Sequence, residues 1–220
     1  MVSAAERWLE FKNEVTAECL SLDRDSNQIE IIVVTKFHGS ELVRELWDAG
    51  ARNFGESRHQ EASQKVEELS DCPATWHFVG QIQSNKAKAI ARYASVLHSL
   101  DRDSVIDALS NSENQVAGFI EYNLTDDPGR GGVNDEAELL RLAEKISNTE
   151  TIKLLGVMAV APQATDPNVA FARLRKISER LVESHPAAKY ISAGMSQDWR
   201  QALAHGATHL RVGTAITGNR

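Results

Sequence analysis

The chain has 220 residues, 42% hydrophobic and 25% charged, enough to bury a sizeable core and keep a soluble surface. Its formal net charge of −7 argues against nucleic acid or an anionic membrane as the main partner, because both call for a basic footprint. Cys19 and Cys72 stand far apart with no CxxC or metal-ligand spacing, which reads as free thiols in a reducing cytoplasm.

From the N-terminus, Met1 to Leu20 carries a charge every few residues and is not a secretion signal. Trp8, Phe11, Val15 and Cys19 recur at three- and four-residue steps, the pattern of a helix with one apolar face. Asp23–Gln28 is a polar loop. Ile31–Lys36 reads as a buried strand, followed by a helix capped at Ser40, lined inward by Leu42, Val43, Leu46 and Trp47 and stopped at Gly50. Short strands at Arg52–Gly55, Thr75–Gly80 and Ser95–Ser99 each precede a helical stretch, at Gln60–Leu69, Ser84–Tyr93 and Asp103–Ser110. Val116–Asn123 is a strand leading into the loop Thr125–Gly132, whose Pro128 and glycines mark it as flexible or functional. A helix at Asp135–Ile146, a strand at Ile152–Val160 and a helix at Val169–Val182 follow. Lys189–Ser192, Ser196–Ala204 and Thr208–Val212 complete a strand, a helix and a strand. No apolar run is long enough to span a bilayer. The sequon at Asn123-Leu124-Thr125 has no meaning without secretion.

Regular alternation of strand and helix requires parallel strands with helical crossovers. About eight strands favour a closed α/β (β/α)8 TIM barrel over an open doubly wound sheet, and no GxGxxG follows the first strand. The expected organisation is one barrel domain over residues 1–220, with an N-terminal helix at 1–22 packed on it.

Lys36 at the exit of the first strand is the most informative residue. An ammonium is costly to bury, and a partly desolvated lysine loses its proton more readily, as a Schiff-base nucleophile must. In a barrel its neighbours across the closure are the loops Ser192-Ala193-Gly194-Met195-Ser196 and Arg211-Val212-Gly213-Thr214. Both offer small residues, hydroxyls and backbone amides ahead of helical segments, and barrels often hold phosphate there. An amine facing a phosphate cradle points to a phosphorylated aldehyde, with pyridoxal 5'-phosphate (PLP) as the leading ligand. Arg211 would then meet the pyridine nitrogen and keep it unprotonated. A Schiff-base aldolase acting on a sugar phosphate remains an alternative at this stage.

Several motifs taken in order are distinctive: Val34-Thr35-Lys36, Phe54-Gly55-Glu56, Trp76 through Lys86, Gly156-Val157-Met158-Ala159, Ser192 through Ser196 and Arg211 through Ile216. From about residue 30 onward the chain resembles the pyridoxal phosphate homeostasis protein family, the proline synthase co-transcribed homologues, and the Gly129–Gly132 loop resembles its actinobacterial branch. The resemblance implies a fold similar to the N-terminal domain of alanine racemase. It implies PLP held as an internal aldimine on Lys36, with Ser196, Gly213 and Thr214 at the phosphate, Arg211 at the ring nitrogen and Met195 lining the pocket. It further implies a role in intracellular PLP homeostasis, with PLP-dependent apo-enzymes as possible recipients. Two positions depart from the family pattern. Ser57 stands where Asn is usual, and Thr217 where Phe is usual, which removes a packing contact under the site.

The runner-up is a PLP-dependent racemase or lyase of narrow specificity, using Lys36 alone or with His77 or Tyr122. A racemase needs two bases. In alanine racemase the second comes from a C-terminal β-domain, and this chain ends at Arg220, so a non-catalytic, monomeric, cytoplasmic carrier is expected. His77 and His98 fall near strand ends and can face the pocket, His77 as an orienting group. His205 and His209 are surface or structural. No HxH or HExxH spacing marks a metal site. Gln83–Lys86 reads as a solvated helix start, and Lys86, Lys88 and Arg92 as a charged outer face.

Overall fold

A computed structural model describes residues 2–218 except Asp126 and Pro128. The strands β1 (Glu30–Val34), β2 (Asn53–Glu56), β3 (Thr75–Phe78), β4 (Val96–Leu100), β5 (Val116–Glu121), β6 (Ile152–Met158), β7 (Tyr190–Ser192) and β8 (His209–Val212) pair in parallel in that order. β8 closes on β1 through the register Ile32–Arg211 and Val33–Val212. The crossovers carry α2 (Ser40–Asp48), α3 (His59–Glu68), α4 (Ala87–Ile90), α5 (Asp103–Ser110), α6 (Glu136–Ser147), α7 (Pro167–Ser184) and α8 (Trp199–Ala204), with α1 (Ala4–Ser21) before the barrel and α9 (Thr214–Thr217) after it. The expected (β/α)8 barrel is present. No helix among the described residues is long and apolar enough to cross a membrane.

Successive strand residues point to opposite faces. The outward set, with Ile31, Val33, Phe54, Trp76, Phe78 and Leu97, is fully or nearly buried and packs with Val43, Leu46, Val105 and Leu139 of the surrounding helices in one continuous core. The inward set is unusually polar and contains Asn53, His77, His98, Ser192, His209 and Arg211, bonded to one another or stacked around Phe119. The β5–β6 register shifts between Gly118 and Phe119, and Gly156, just past the shift, pairs with Tyr190 of β7. A Cβ at Gly156, whose φ is +151°, would meet the Tyr190 carbonyl oxygen at 1.9 Å, so only glycine fits there.

α1 packs against α2 and against the two helices that follow the last two strands, with Trp8, Phe11, Val15 and Cys19 buried on its inner face. Phe11 meets Trp199 edge-on at 5.1 Å, and Arg7 Nε donates to the Ile216 carbonyl at 2.7 Å. Ser3 and Glu6 form a reciprocal capping box at the start of α1. Replacing Ser3 with alanine should lower stability by about 1 kcal/mol, read from the midpoint of urea unfolding at unchanged slope.

The structure moves several expected boundaries. β1 ends at Val34, two residues before Lys36, because the chain turns at Thr35, whose carbonyl accepts from His38 N. Gly39, not Ser40, occupies the N-cap of α2. Ser84–Tyr93 contains only a 3-10 turn at Ser84–Lys86 and the four-residue α4. Ser196 does not start a helix: α8 begins at Trp199, behind a turn in which Asp198 Oδ1 accepts from Met195 N at 2.6 Å. In the Thr125–Gly132 loop, Pro128 lies outside the described residues. The described part is tied down by buried Asn123, which donates to the carbonyls of Asp127 and Arg130 and accepts from Thr125. That amide is therefore committed inside the protein, in keeping with an idle sequon.

Candidate functional site

The loops after β1, β7 and β8 open together at the C-terminal end of the barrel. There they border a cavity of about 800 Å³ that Lys36, Met195, Ser196, Arg211, Gly213 and Thr214 all line. The six residues assigned to a cofactor from the sequence thus border one cavity.

Lys36 sits in the turn after β1 with its side chain exposed at the cavity mouth, not partly desolvated as the sequence suggested. The reason is the early end of β1, which puts Thr35 into the interior and Lys36 outside. Phe37 follows with φ +70°, a left-handed conformation rare for an aromatic residue, and its ring is covered by the Arg58 guanidinium at 4.4 Å. Beneath this turn, Thr35 Oγ1 donates to Glu56 Oε1 at 2.7 Å. Lys65 from α3 donates to the Thr35 carbonyl at 3.0 Å and to Glu56 Oε1 at 2.5 Å. Lys65 and Glu56 are both buried.

Ser196 Oγ accepts from Ala215 N at 3.2 Å, so the hydroxyl clips the β7 loop to the first turn of α9. That explains why it caps no helix of its own, and it leaves the O–H proton for a ligand. Gly194, at φ +91°, permits the approach: a Cβ there would lie 2.8 Å from that of Ala202. Arg211 is buried. Its Nη1 donates to Ser192 Oγ at 2.6 Å and its Nη2 to the Ala159 carbonyl at 3.0 Å. Burial pushes its pKa down to about 10, with Glu121 and Asp198 acting the other way, so it stays cationic at neutral pH.

Residues 15–220 match the alanine racemase N-terminal domain family. The chain is 37% identical over 209 residues to the pyridoxal phosphate homeostasis protein of Corynebacterium glutamicum, covering 90% of this chain and 93% of that one. It is 33% identical over 228 residues to the protein of the same name from Mycobacterium leprae, covering 94% and 89%. The chain belongs to the pyridoxal phosphate homeostasis protein family. Among solved structures, PipY of Synechococcus elongatus with PLP bound is similar, at 32% identity and a TM-score of 0.81 over 93% of this chain and 100% of that one.

Other expected participants fall elsewhere in this family member. His77 and His98 do not border the cavity but lie buried in the barrel interior, where burial holds His77 at about 3 and His98 well below the usual histidine range. Tyr122 is buried, with its hydroxyl donating to the Asn134 carbonyl at 3.1 Å, and does not line the cavity. Of the two readings for His209, surface or structural, the structure has the second: it is buried, and burial lowers it to about 4. Ser57 is not at the cavity wall. Thr217 borders a small void of about 130 Å³ between the Lys36 turn and α9, the place where a larger side chain would pack. Cys19 and Cys72 are free and buried, and among the described residues no cluster of histidine, cysteine and carboxylate side chains could hold a metal. Lys86, Lys88 and Arg92 are exposed, as read. A separate cavity of about 540 Å³ at the opposite end of the barrel is lined by Arg24 and Lys189, and Arg24 is already spent on the carbonyls of Leu203 and Ala207. Sequence reasoning missed Lys65 and the role of Ser192 and Ala159 as partners of Arg211, which follow from positions around the barrel and not from any local pattern.

Proposed function

We propose that this chain binds PLP through Lys36 and serves cytoplasmic PLP homeostasis as a monomeric carrier without appreciable turnover, handing the cofactor to PLP-dependent apo-enzymes. The observation that carries this reading is one primary amine and one buried guanidinium bordering the same cavity as two hydroxyls and the glycine of α9's first turn. The donor set fits the cofactor, which supplies an aldehyde that condenses with an amine and a phosphate that accepts hydrogen bonds. Lys36 provides the amine. Ser196 Oγ, Thr214 Oγ1 and the Gly213 and Thr214 amides provide donors for phosphate, and Met195 provides an apolar wall. Arg211 carries a fixed positive charge for the ring nitrogen, which disfavours protonation of that nitrogen and so restrains carbanion chemistry. A similar solved structure with PLP bound supports PLP as the ligand.

Support for a carrier over a racemase or lyase comes from His77 and Tyr122. Neither base that such chemistry would recruit borders the cavity. An absorbance spectrum of the purified protein before and after borohydride, followed by peptide mapping, tests the core claim. A cofactor adduct on Lys36 is expected; an adduct on another lysine, or none, overturns it. Deuterium exchange at Cα across a panel of amino acids should run no faster than with free PLP, and faster exchange would replace the carrier with an enzyme. Thr214→Val should weaken PLP binding by about 1–3 kcal/mol if its hydroxyl meets phosphate, measured by fluorescence titration. Unchanged affinity removes Thr214 from the site.

A further inference from the structure

The barrel interior holds a continuous line of hydrogen bonds that runs from the cavity floor to the opposite end. Arg211 Nη1 lies 2.6 Å from Ser192 Oγ. Ser192 Oγ lies 2.8 Å from His98 Nδ1, and His98 Nε2 lies 3.0 Å from His77 Nδ1. His77 Nε2 lies 3.0 Å from Asn53 Oδ1, and Asn53 Nδ2 donates at 2.7 Å to Glu30 Oε2 at the start of β1.

With both buried imidazoles neutral, the chemistry at the two ends fixes the direction of every link. A guanidinium only donates and a carboxylate only accepts. Glu30 therefore takes the Asn53 amide N–H, which turns Asn53 Oδ1 toward His77. Oδ1 only accepts, so His77 carries its proton on Nε2 and accepts at Nδ1. His98 must then donate from Nε2 and accept at Nδ1 from the Ser192 hydroxyl. Ser192, donating its O–H to His98 Nδ1, meets Arg211 with a lone pair. Each bond agrees with the next, and both rings are neutral. Burial supports the neutral state, since both imidazoles are held well below the usual histidine range. Phe119 stacks on His98 at 5.0 Å and limits tilting of that ring.

We propose that Ser192, His98, His77 and Asn53 form a one-way hydrogen-bond relay that positions Arg211 in the cofactor site. Ser192 and Ala159 each take one N–H of the two Nη atoms and so fix the plane of the guanidinium, leaving Nε–H among the donors they do not use. The relay keeps Ser192 Oγ turned as an acceptor toward Arg211. A barrel packed with aliphatic side chains would leave that buried cation without an oriented partner. These are positioning residues, and the cofactor part of the proposal rests on the PLP reading given above.

The first test needs no cofactor. In cofactor-free protein labelled with 15N-histidine, long-range 1H–15N spectra at pH 7 should show His77 and His98 each as the neutral Nε2–H tautomer. An Nδ1–H tautomer or a cation at either residue overturns the relay. Asn53→Leu, at the far end of the hydrogen-bond line from Arg211, should abolish the single-tautomer pattern at His98, and an unchanged pattern overturns it equally. The second test uses the loaded protein. Ser192→Ala should raise the PLP dissociation constant about tenfold and shift the pH midpoint of the lysine-conjugate absorbance, the loss expected when a buried charged donor loses its partner. His209→Gln alters a buried interior histidine outside the relay and should leave both readouts within about twofold. Equal effects from the two variants, or none from Ser192→Ala, would reduce these residues to interior packing. If the wild type takes up no PLP, the ligand reading fails, while the tautomer pattern still decides whether the relay exists.

Discussion

Lys36→Ala is expected to remove all borohydride-fixable cofactor and the visible absorbance of the conjugate, while changing folding stability by no more than about 0.5 kcal/mol. The two halves have different causes. The amine is the reacting group, so no neighbour replaces it; Lys65, the other lysine near the turn, is committed to Glu56 and the Thr35 carbonyl. Stability is spared because Lys36 is exposed and its ammonium lies 5.9 Å from the Phe37 ring, a weak cation–π contact. Absorbance after PLP addition, borohydride mapping and urea unfolding check the claim together. A variant that still fixes cofactor means that another amine does the chemistry. A variant that loses the adduct and also several kcal/mol of stability means that Lys36 has a structural role the turn does not reveal.

The barrel was legible because its signals are local and repeated. Period-2 and period-3.6 patterns located eight strands and most helices within a few residues, and alternation imposes parallel closure. The site was legible where it consists of loops that close the barrel: strand order alone places the Lys36 turn beside the β8 loop, with the β7 loop next to it. What failed has physical reasons. A strand's end depends on which residue the neighbouring strand bonds; Gly55 O takes the Thr35 amide, and the chain turns there, exposing Lys36. Ser196 has the composition of an N-cap, but a distant amide, Ala215 N, claims its hydroxyl. His98 looked able to face the pocket, and His209 was left between surface and structural roles, because a histidine in a strand carries no mark of which face it occupies. In this barrel the inward face is the polar one, against the usual aliphatic filling. Such across-barrel pairings join residues as far apart as His98 and Ser192, 94 positions in sequence.

Lys65→Met is expected to cost about 3–5 kcal/mol of stability, because it leaves the Glu56 carboxylate buried without its cation. Glu56 and Lys65 have side-chain exposures of 1% and 6%, so solvent cannot take the place of the lost partner. Glu56 Oε1 would keep only the Thr35 hydroxyl, and Glu56 Oε2 already has no hydrogen-bond partner. The double variant Glu56→Leu/Lys65→Met should recover most of the loss, since removing both charges eliminates the desolvation cost as well as the attraction, and neighbours in contact are not additive. Urea unfolding of the wild type, the single and the double variant forms the test. A double variant as unstable as the single one would show that the pair acts through packing and not through charge. The site should feel the same change. Lys65 Nζ also holds the Thr35 carbonyl, the first residue of the turn that presents Lys36, so the single variant should take up PLP more weakly even under conditions where it is fully folded. Full cofactor affinity in folded Lys65→Met protein would separate the buried ion pair from the Lys36 turn and confine its role to the seam between α3 and the barrel.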